Sequence, residues 1–321
     1  MAPPRVSVII PAYRAERTLP ATLAALDRQT VPRAHFEVIV VDDGSPDRTP
    51  ELAEKAGARV LRQANAGPAA ARNRGAREAA GEVLVFTDSD CEPEADFLER
   101  LLAPLADPAV AATKGAYFSR QREVVARFVQ VEYEEKYDRM AALQAREGGI
   151  DFVDTYALAV RRADFEAAGG FDAAFPSASV EDQEFGFRLA AAGRRMRFVP
   201  EARVWHTHAA SLAGYARKKW KIGYWKVAVL RRHPGKAVRD SHTPQSLKLQ
   251  MLLAPLPPLF LLATLPFVAR ALRRDPLVAL AAPFLLYVRA VALGLGLAWG
   301  LATGVRLPES APEPAAEQVA P

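Results

Sequence analysis

The sequence predicts an α/β protein: a mostly parallel, doubly wound sheet followed by C-terminal helices associated with a membrane. Three observations carry that expectation. Short apolar runs alternate with helix-length segments through residues 6–86, the spacing of βα units and therefore of parallel strands. Two of those runs end directly on acids, at the strand ends where open sheets gather ligands. The last third instead holds a basic block and long apolar stretches.

Val6–Ile10 reads as the first strand and stops at Pro11. Leu19, Leu23 and Leu26 share one helical face behind Thr18, a candidate N-cap. Phe36–Val41 is the second strand and ends in Asp42-Asp43-Gly44-Ser45. A helix over Asp47–Ala56, a strand over Ala58–Leu61 and an Ala-rich helix over Ala69–Ala80 follow. Val83–Phe86 is a strand buried on both faces, and it runs into Thr87-Asp88-Ser89-Asp90. Two carboxylates one residue apart can hold a hard divalent cation, and through it phosphate oxygens. Doubly wound topology would bring Pro11-Ala12-Tyr13, Asp42-Asp43 and Asp88-Ser89-Asp90 to one crevice. Such a crevice fits a nucleotide, with Tyr13 stacked on the base and Asp43 accepting a hydrogen bond from base or ribose. No Gly-x-Gly-x-x-Gly and no P-loop is present, which excludes those two phosphate-binding solutions.

In the middle third, Ala109–Ala116 reads as a strand, Glu123–Gln144 as a long charged helix, and Phe152–Val160 as strand-like. Gly169-Gly170-Phe171-Asp172 forms a tight loop behind a helix C-cap at Ala168. Ser179-Val180-Glu181-Asp182 opens a helix that carries Phe185, Leu189 and Ala192 and stops at Gly193. Ser179 and Asp182 have the spacing of a capping box. Phe198–Pro200 and Ala202–Val204 are short strands leading to Trp205-His206-Thr207-His208. Imidazoles two apart on a strand project to the same side.

Four segments, VSVIIPAYRAERTL, FEVIVVDDGSPDRT, NAGPAAARNRGAREAAGEVLVFTDSD and AGGFDAAF with EDQEFGFRLAAAGRR, come in a fixed order. Together they resemble family 2 glycosyltransferases of the GT-A fold, over about the first two thirds of the chain. The resemblance implies an inverting, metal-dependent transferase that uses a nucleotide-diphosphate sugar. It implies that Tyr13 and Asp43 hold the base, with Pro11 and Ala12 beside them among the nucleotide-binding residues. Asn65, Gly67, Arg72 and Asn73 occupy the family's N-x-G-x-x-x-A-R-N stretch beside the nucleotide. Asp88, Ser89 and Asp90 are the Asp-x-Asp, with Asp90 the better metal candidate. Gly169, Gly170, Phe171 and Asp172 lie near donor sugar and acceptor. Asp182 becomes the general base, facing the leaving diphosphate across the sugar, and Glu181 orients the acceptor. His206 is a metal or diphosphate ligand, and His208 a weaker one. Carboxylates with imidazole suit Mn²⁺ or Mg²⁺ alike. The processive members' Gln-x-x-Arg-Trp does not follow Asp182, which points to single-sugar addition.

The 321 residues, half of them hydrophobic, suffice for a sizeable core. The single cysteine, Cys91, excludes a disulfide framework and a Cys-rich zinc site. The start, Met-Ala-Pro-Pro-Arg, has no apolar signal core, so the catalytic part is expected on the cytoplasmic side of the inner membrane. The net charge of +5 is modest, with a basic block from Arg217 to Arg239; without a motif it does not indicate nucleic acid. Residues 1–210 are read as the catalytic domain and 211–245 as a basic amphipathic helix at an anionic membrane surface. Ala213, Ala216, Trp220, Tyr224 and Val227 form its apolar face. Residues 246–305 are read as a hairpin of membrane helices, from apolar runs Met251–Ala269 and Pro276–Gly304. The Arg270–Asp275 link between them, if translocated, would oppose the positive-inside tendency. Residues 306–321 are read as a disordered tail. Membrane anchoring suggests a lipid-linked or membrane-proximal glycan acceptor.

Other readings are a nucleotidyltransferase acting on sugar phosphates, a haloacid-dehalogenase-type phosphatase and an inactive membrane-bound scaffold. The first needs a Gly-rich basic loop where Ala12-Tyr13-Arg14-Ala15 stands. The second needs its acids on the first strand. The third does not account for Asp88, Asp90, Asp182 and His206 together.

Overall fold

A computed structural model describes residues 6–175, 180–237 and 243–307. The first five residues, the Ser179 partner of the capping box and the tail from Pro308 lie outside the described residues.

The chain begins with β1 (Val6–Ala12), α1 (Leu19–Asp27), β2 (Phe36–Asp42), α2 (Thr49–Lys55), β3 (Arg59–Arg62), α3 (Pro68–Glu78) and β4 (Val83–Phe86). β1 pairs in parallel with β2 and β4, and β2 with β3. This is the expected doubly wound half, and its boundaries follow the apolar runs within two residues or so. Thr18 takes the N-cap position of α1 without a side-chain cap bond.

The second half departs from parallel order. It contains β5 (Cys91–Pro93), α4 (Phe97–Leu102), β6 (Val110–Phe118), α5 (Val124–Glu147), β7 (Leu158–Arg161), α6 (Arg162–Ala167), α7 (Glu181–Ala191) and β8 (Arg195–His206). The full order is β3-β2-β1-β4-β7-β6-β8-β5. β7 runs antiparallel to both β4 and β6, and β5 antiparallel to β8, whereas β6 and β8 are parallel. The sheet is therefore mixed rather than parallel throughout. The strand expected over Phe152–Val160 shrinks to β7 after a 3₁₀ turn at Thr155–Ala157. The two short strands near Pro200 are one continuous β8, with Pro200 inside it.

Helices cover both faces. Val8, Ile10, Val38 and Val40 pack with Leu19, Leu23 and Leu26 of α1 and Phe97 and Leu101 of α4. The alternate residues Ile9, Ile39 and Val41 pack with Ala69, Ala71 and Ala76 of α3 and Phe185 and Leu189 of α7. Strand periodicity sends neighbours to opposite layers. The small residues of α3 let it sit close. A Cβ on Gly75 would lie 2.5 Å from Ile9 Cγ2.

A third layer follows: α8 (Leu212–Arg232), α9 (Gln245–Leu253), α10 (Pro257–Arg274) and α11 (Pro276–Ala302). Phe128 and Val131 of α5 pack with Tyr215, Phe260, Phe267, Ala282 and Leu286. The Met251–Ala269 apolar run is broken between α9 and α10. Among the described residues only α11 is long and apolar enough to cross a membrane. α8 is packed on the core rather than lying free. Lys226 Nζ donates to Gln183 Oε1 of α7 at 2.7 Å, and Lys219 pairs with Glu132 of α5 at 3.1 Å.

Candidate active site

The carboxyl ends of β1, β2 and β4 lie side by side, since Ile9 is in register with both Ile39 and Phe86. Tyr13, past the end of β1, is 46 % exposed, open for stacking. Asp43 is buried and already engaged. Its Oδ1 accepts from Gln63 Nε2 (2.8 Å) and Ala66 N (2.9 Å), and its Oδ2 from Gly67 N (2.9 Å). Asn65 Nδ2 donates to the Asp43 carbonyl at 3.0 Å. Asp43 and Asn65 thus brace the turn into α3, and a ligand would meet only the remaining lone pair on Oδ2. Gly67 has φ 89° in that turn, a conformation glycine adopts without strain.

Arg72 of α3 is the structural hub. Its buried guanidinium donates from Nη2 to Asp88 Oδ1 (2.7 Å) and from Nη1 to Glu181 Oε1 (3.2 Å). One cation therefore ties the loop after β4 to the start of α7. Asp90 reaches the other way, with Oδ2 3.3 Å from His206 Nε2 at the end of β8. Burial pushes the Asp90 carboxyl up, but the His206 hydrogen bond and charge outweigh it and hold Asp90 below its ordinary value.

Asp88, Asp90 and Cys91 each offer a ligand atom within 4.8 Å of the others. Cys91 is fully buried, and burial with the Asp88 and Asp90 charges raises its thiol well above the usual range. A protonated thiol is a poor ligand, which leaves the carboxylates of that cluster as donors suited to a hard divalent ion, with His206 Nε2 beside Asp90. The structure separates His206 from His208. His208 is buried, its Nε2 3.1 Å from Gln130 Oε1 and its ring parallel to Tyr133. Burial, helped by the His206 charge, lowers it to about 3. His208 thus packs with its Nε2 already facing Gln130, a contact that any role as a ligand would have to break.

Asn73 reaches the Gly-Gly-Phe-Asp loop. Its Nδ2 donates to the Phe171 carbonyl (2.7 Å), and its Oδ1 accepts from Phe171 N (2.9 Å), so it fixes that loop. Phe171 itself is core, against Phe86, Phe165 and Phe185. Gly169 and Gly170 both have positive φ, and a Cβ on Gly170 would lie 2.8 Å from Asn73 Oδ1. Asp172 pairs with Arg232 of α8.

Asp182 sits in the first turn of α7, half-buried, its Oδ1 accepting from Gln183 N at 2.7 Å. Burial raises its carboxyl well above the usual range, and the Glu181 and Asp154 charges add to this, with Lys136 opposing. Beside it lies a buried network absent from the sequence reading. Asp154 pairs with Lys114 (2.7 Å) and Lys136 (3.1 Å). Lys114 Nζ also donates to Tyr156 OH at 2.8 Å, and Tyr156 OH is 3.1 Å from Tyr137 OH. Burial and the Lys114 charge lower Lys136 to about 7, against the pull of Asp154. The Lys136 charge in turn favours the ionised form of Asp182. Lys114 interrupts an otherwise uncharged β6, Val-Ala-Ala-Thr-Lys-Gly-Ala-Tyr-Phe. A buried lysine needs a paired acid, and that was the available signal.

The profile of glycosyl transferase family 2 matches residues 7–169, just over half of the chain. The chain belongs to glycosyl transferase family 2. It is 36 % identical over 118 residues to the glycosyltransferase AglE of Haloferax volcanii, covering 35 % of this chain and 39 % of that one. It is 32 % identical over 208 residues to the pre-mycofactocin glycosyltransferase of Mycobacterium tuberculosis, covering 63 % and 44 %. The chain thus spans less than half the length of these two relatives. Among solved structures it is similar to the mannosyltransferase PcManGT of Pyrobaculum calidifontis in complex with GDP-Man and Mn²⁺. That likeness has a TM-score of 0.60 at 22 % identity, over 94 % of this chain and 88 % of the other. It establishes the GT-A type of fold, with the C-terminal helices inside the matched span.

Proposed function

We propose that this family 2 protein is a glycosyltransferase that moves a sugar from a nucleotide-diphosphate sugar to an acceptor hydroxyl in one displacement, with inversion at C1. The reading rests on Arg72, whose two ion pairs hold the donor-side Asp88 and Glu181, the neighbour of Asp182 in α7, around one buried guanidinium. Tyr13 stacks on the base, Asp43 offers its free lone pair, and Asp88 meets the ribose. Asp90 and His206 hold a divalent ion, Mn²⁺ or Mg²⁺, which when bound neutralises charge on the departing diphosphate. Asp182 takes the acceptor proton as the new bond forms. Burial and the neighbouring Glu181 and Asp154 charges raise its proton affinity, which favours proton uptake by a base. Glu181, locked by Arg72, orients α7 rather than touching the acceptor. The GDP-Man and Mn²⁺ of the Pyrobaculum neighbour are consistent with this donor chemistry. The acceptor is a lipid-linked or membrane-proximal glycan at the cytoplasmic face of the inner membrane, a placement supported by the apolar α11.

A panel of nucleotide sugars, assayed with the full chain for nucleotide release with Mn²⁺, with Mg²⁺ and with chelator, tests the reading. One donor consumed only with metal is the expected result. Asp182→Asn should lose about 10²–10⁴-fold in transfer rate while calorimetry shows unchanged donor affinity; normal turnover in that variant removes Asp182 as the base. Pyrophosphate release from a nucleoside triphosphate and a sugar phosphate would make the protein a nucleotidyltransferase instead.

A further inference from the structure

The outer face of the C-terminal layer is apolar and exposed. On α11, Leu277, Leu280, Phe284, Tyr287, Leu295 and Trp299 fall on one helical face, with Leu280 83 % exposed. Leu262, Leu265 and Leu272 extend it onto α10. An exposed apolar patch of this kind marks an interaction surface.

The opposite face of α11 is fastened along its whole length to polar helices. At its start, Asp275 pairs with Arg127 of α5 at 2.7 Å, and Arg274 with Glu134. Midway, the buried Arg289 donates to Glu132 of α5 (2.8 Å) and to Gln250 of α9 (2.6 Å). Beyond it, α11 runs alongside α8. A Cβ on Gly296 would lie 2.1 Å from the Trp220 carbonyl, and one on Gly300 2.7 Å from the Tyr224 carbonyl. Arg231 then donates to the Val305 carbonyl at 2.7 Å. α8 carries Arg217, Lys218, Lys219, Lys221, Lys226, Arg231 and Arg232. If the 27-residue α11, about 40 Å long, crossed a bilayer, it would carry α8 and the acids of α5 into hydrocarbon. Each such charge costs about 2.5–3.5 kcal/mol at the centre of a bilayer.

We propose that α10 and α11 dock onto one leaflet of an anionic bilayer, lying in its plane rather than spanning it. The inference rests on the membrane-proximal placement proposed above and replaces the spanning hairpin. Exposed Arg273 and Arg306 bracket α11 at its two ends, a charge pattern complementary to anionic headgroups. Trp299 and Tyr287 are the aromatic types favoured at that depth. A second copy of the chain is the weaker occupant, because Gly296-x-x-x-Gly300, the motif by which apolar helices pair, is already filled by α8.

Purified full-length protein is mixed with sealed vesicles of phosphatidylcholine, with and without phosphatidylglycerol, and pelleted. Binding to the anionic vesicles, reduced by salt and lost in Leu280→Glu/Phe284→Glu, is expected. No binding, with a dimer by light scattering that the same double variant dissolves, overturns the membrane partner. Arg273→Cys and Thr303→Cys, bound to those vesicles, are then labelled with an impermeant maleimide. Labelling of both without detergent is expected; protection of one end until detergent is added means that α11 spans. Nucleotide-sugar turnover in the same samples is read separately, so loss of chemistry and loss of docking are distinguishable.

Discussion

The first sheet half, β1 to β4, and the last helical layer, α8 to α11, are both apolar, yet only one was legible from its own residues. In β1 and β2 the apolar runs are buried on both faces, so pattern and environment coincide. In α8 the expected apolar face holds a buried Val227, a half-buried Tyr224 and an exposed Trp220, and its partner was not legible. That face meets Gly296 and Gly300 of α11, some 75 residues on, instead of lipid. A helical stripe says which side is buried and is silent on what buries it.

Arg72→Met tests the sheet side most severely. Leaving Asp88 and Glu181 without their buried cation should cost about 3–5 kcal/mol, read as a lowered urea midpoint, and donor affinity should fall with it. A midpoint unchanged from the parent would mean that the two arms of the crevice are held independently. On the helical side, Gly296→Leu should cost about 1–3 kcal/mol by overpacking. Hydrogen exchange should place the lost protection in α8 and α11 while β1 to β4 stay protected. Uniform loss across the sheet would erase the distinction between the regions.

The candidate site divides along the same line. The places of Asp88 and Asp90 past the end of β4 and of Asp182 at the start of α7 were legible, because strand ends and helix starts carry their own signal. The contacts of Asn73 and His208 were not, because each is made to a residue far away in the chain, Phe171 and Gln130 respectively. The Lys114–Asp154–Lys136 network was missed for the same reason. Its members come from β6, α5 and the turn before β7, and no local window contains two of them.

The smallest predicted effect concerns that network. Asp182 works deprotonated, so activity falls as pH drops through its raised value. Lys136 is a cation that lowers that value. Lys136→Met should therefore move the acid limb of kcat/KM to higher pH, with donor affinity measured at high pH unchanged. An unmoved limb, in a variant that still folds, would show that the lysine pair supports structure alone.

One guanidinium shared by two carboxylates cannot be indifferent to either. A donor that draws Asp88 toward its ribose weakens one of the two bonds, and Glu181 then has Arg72 to itself. On the roles proposed above, a ligand at the lip of β4 would reach the first turn of α7 through that one guanidinium.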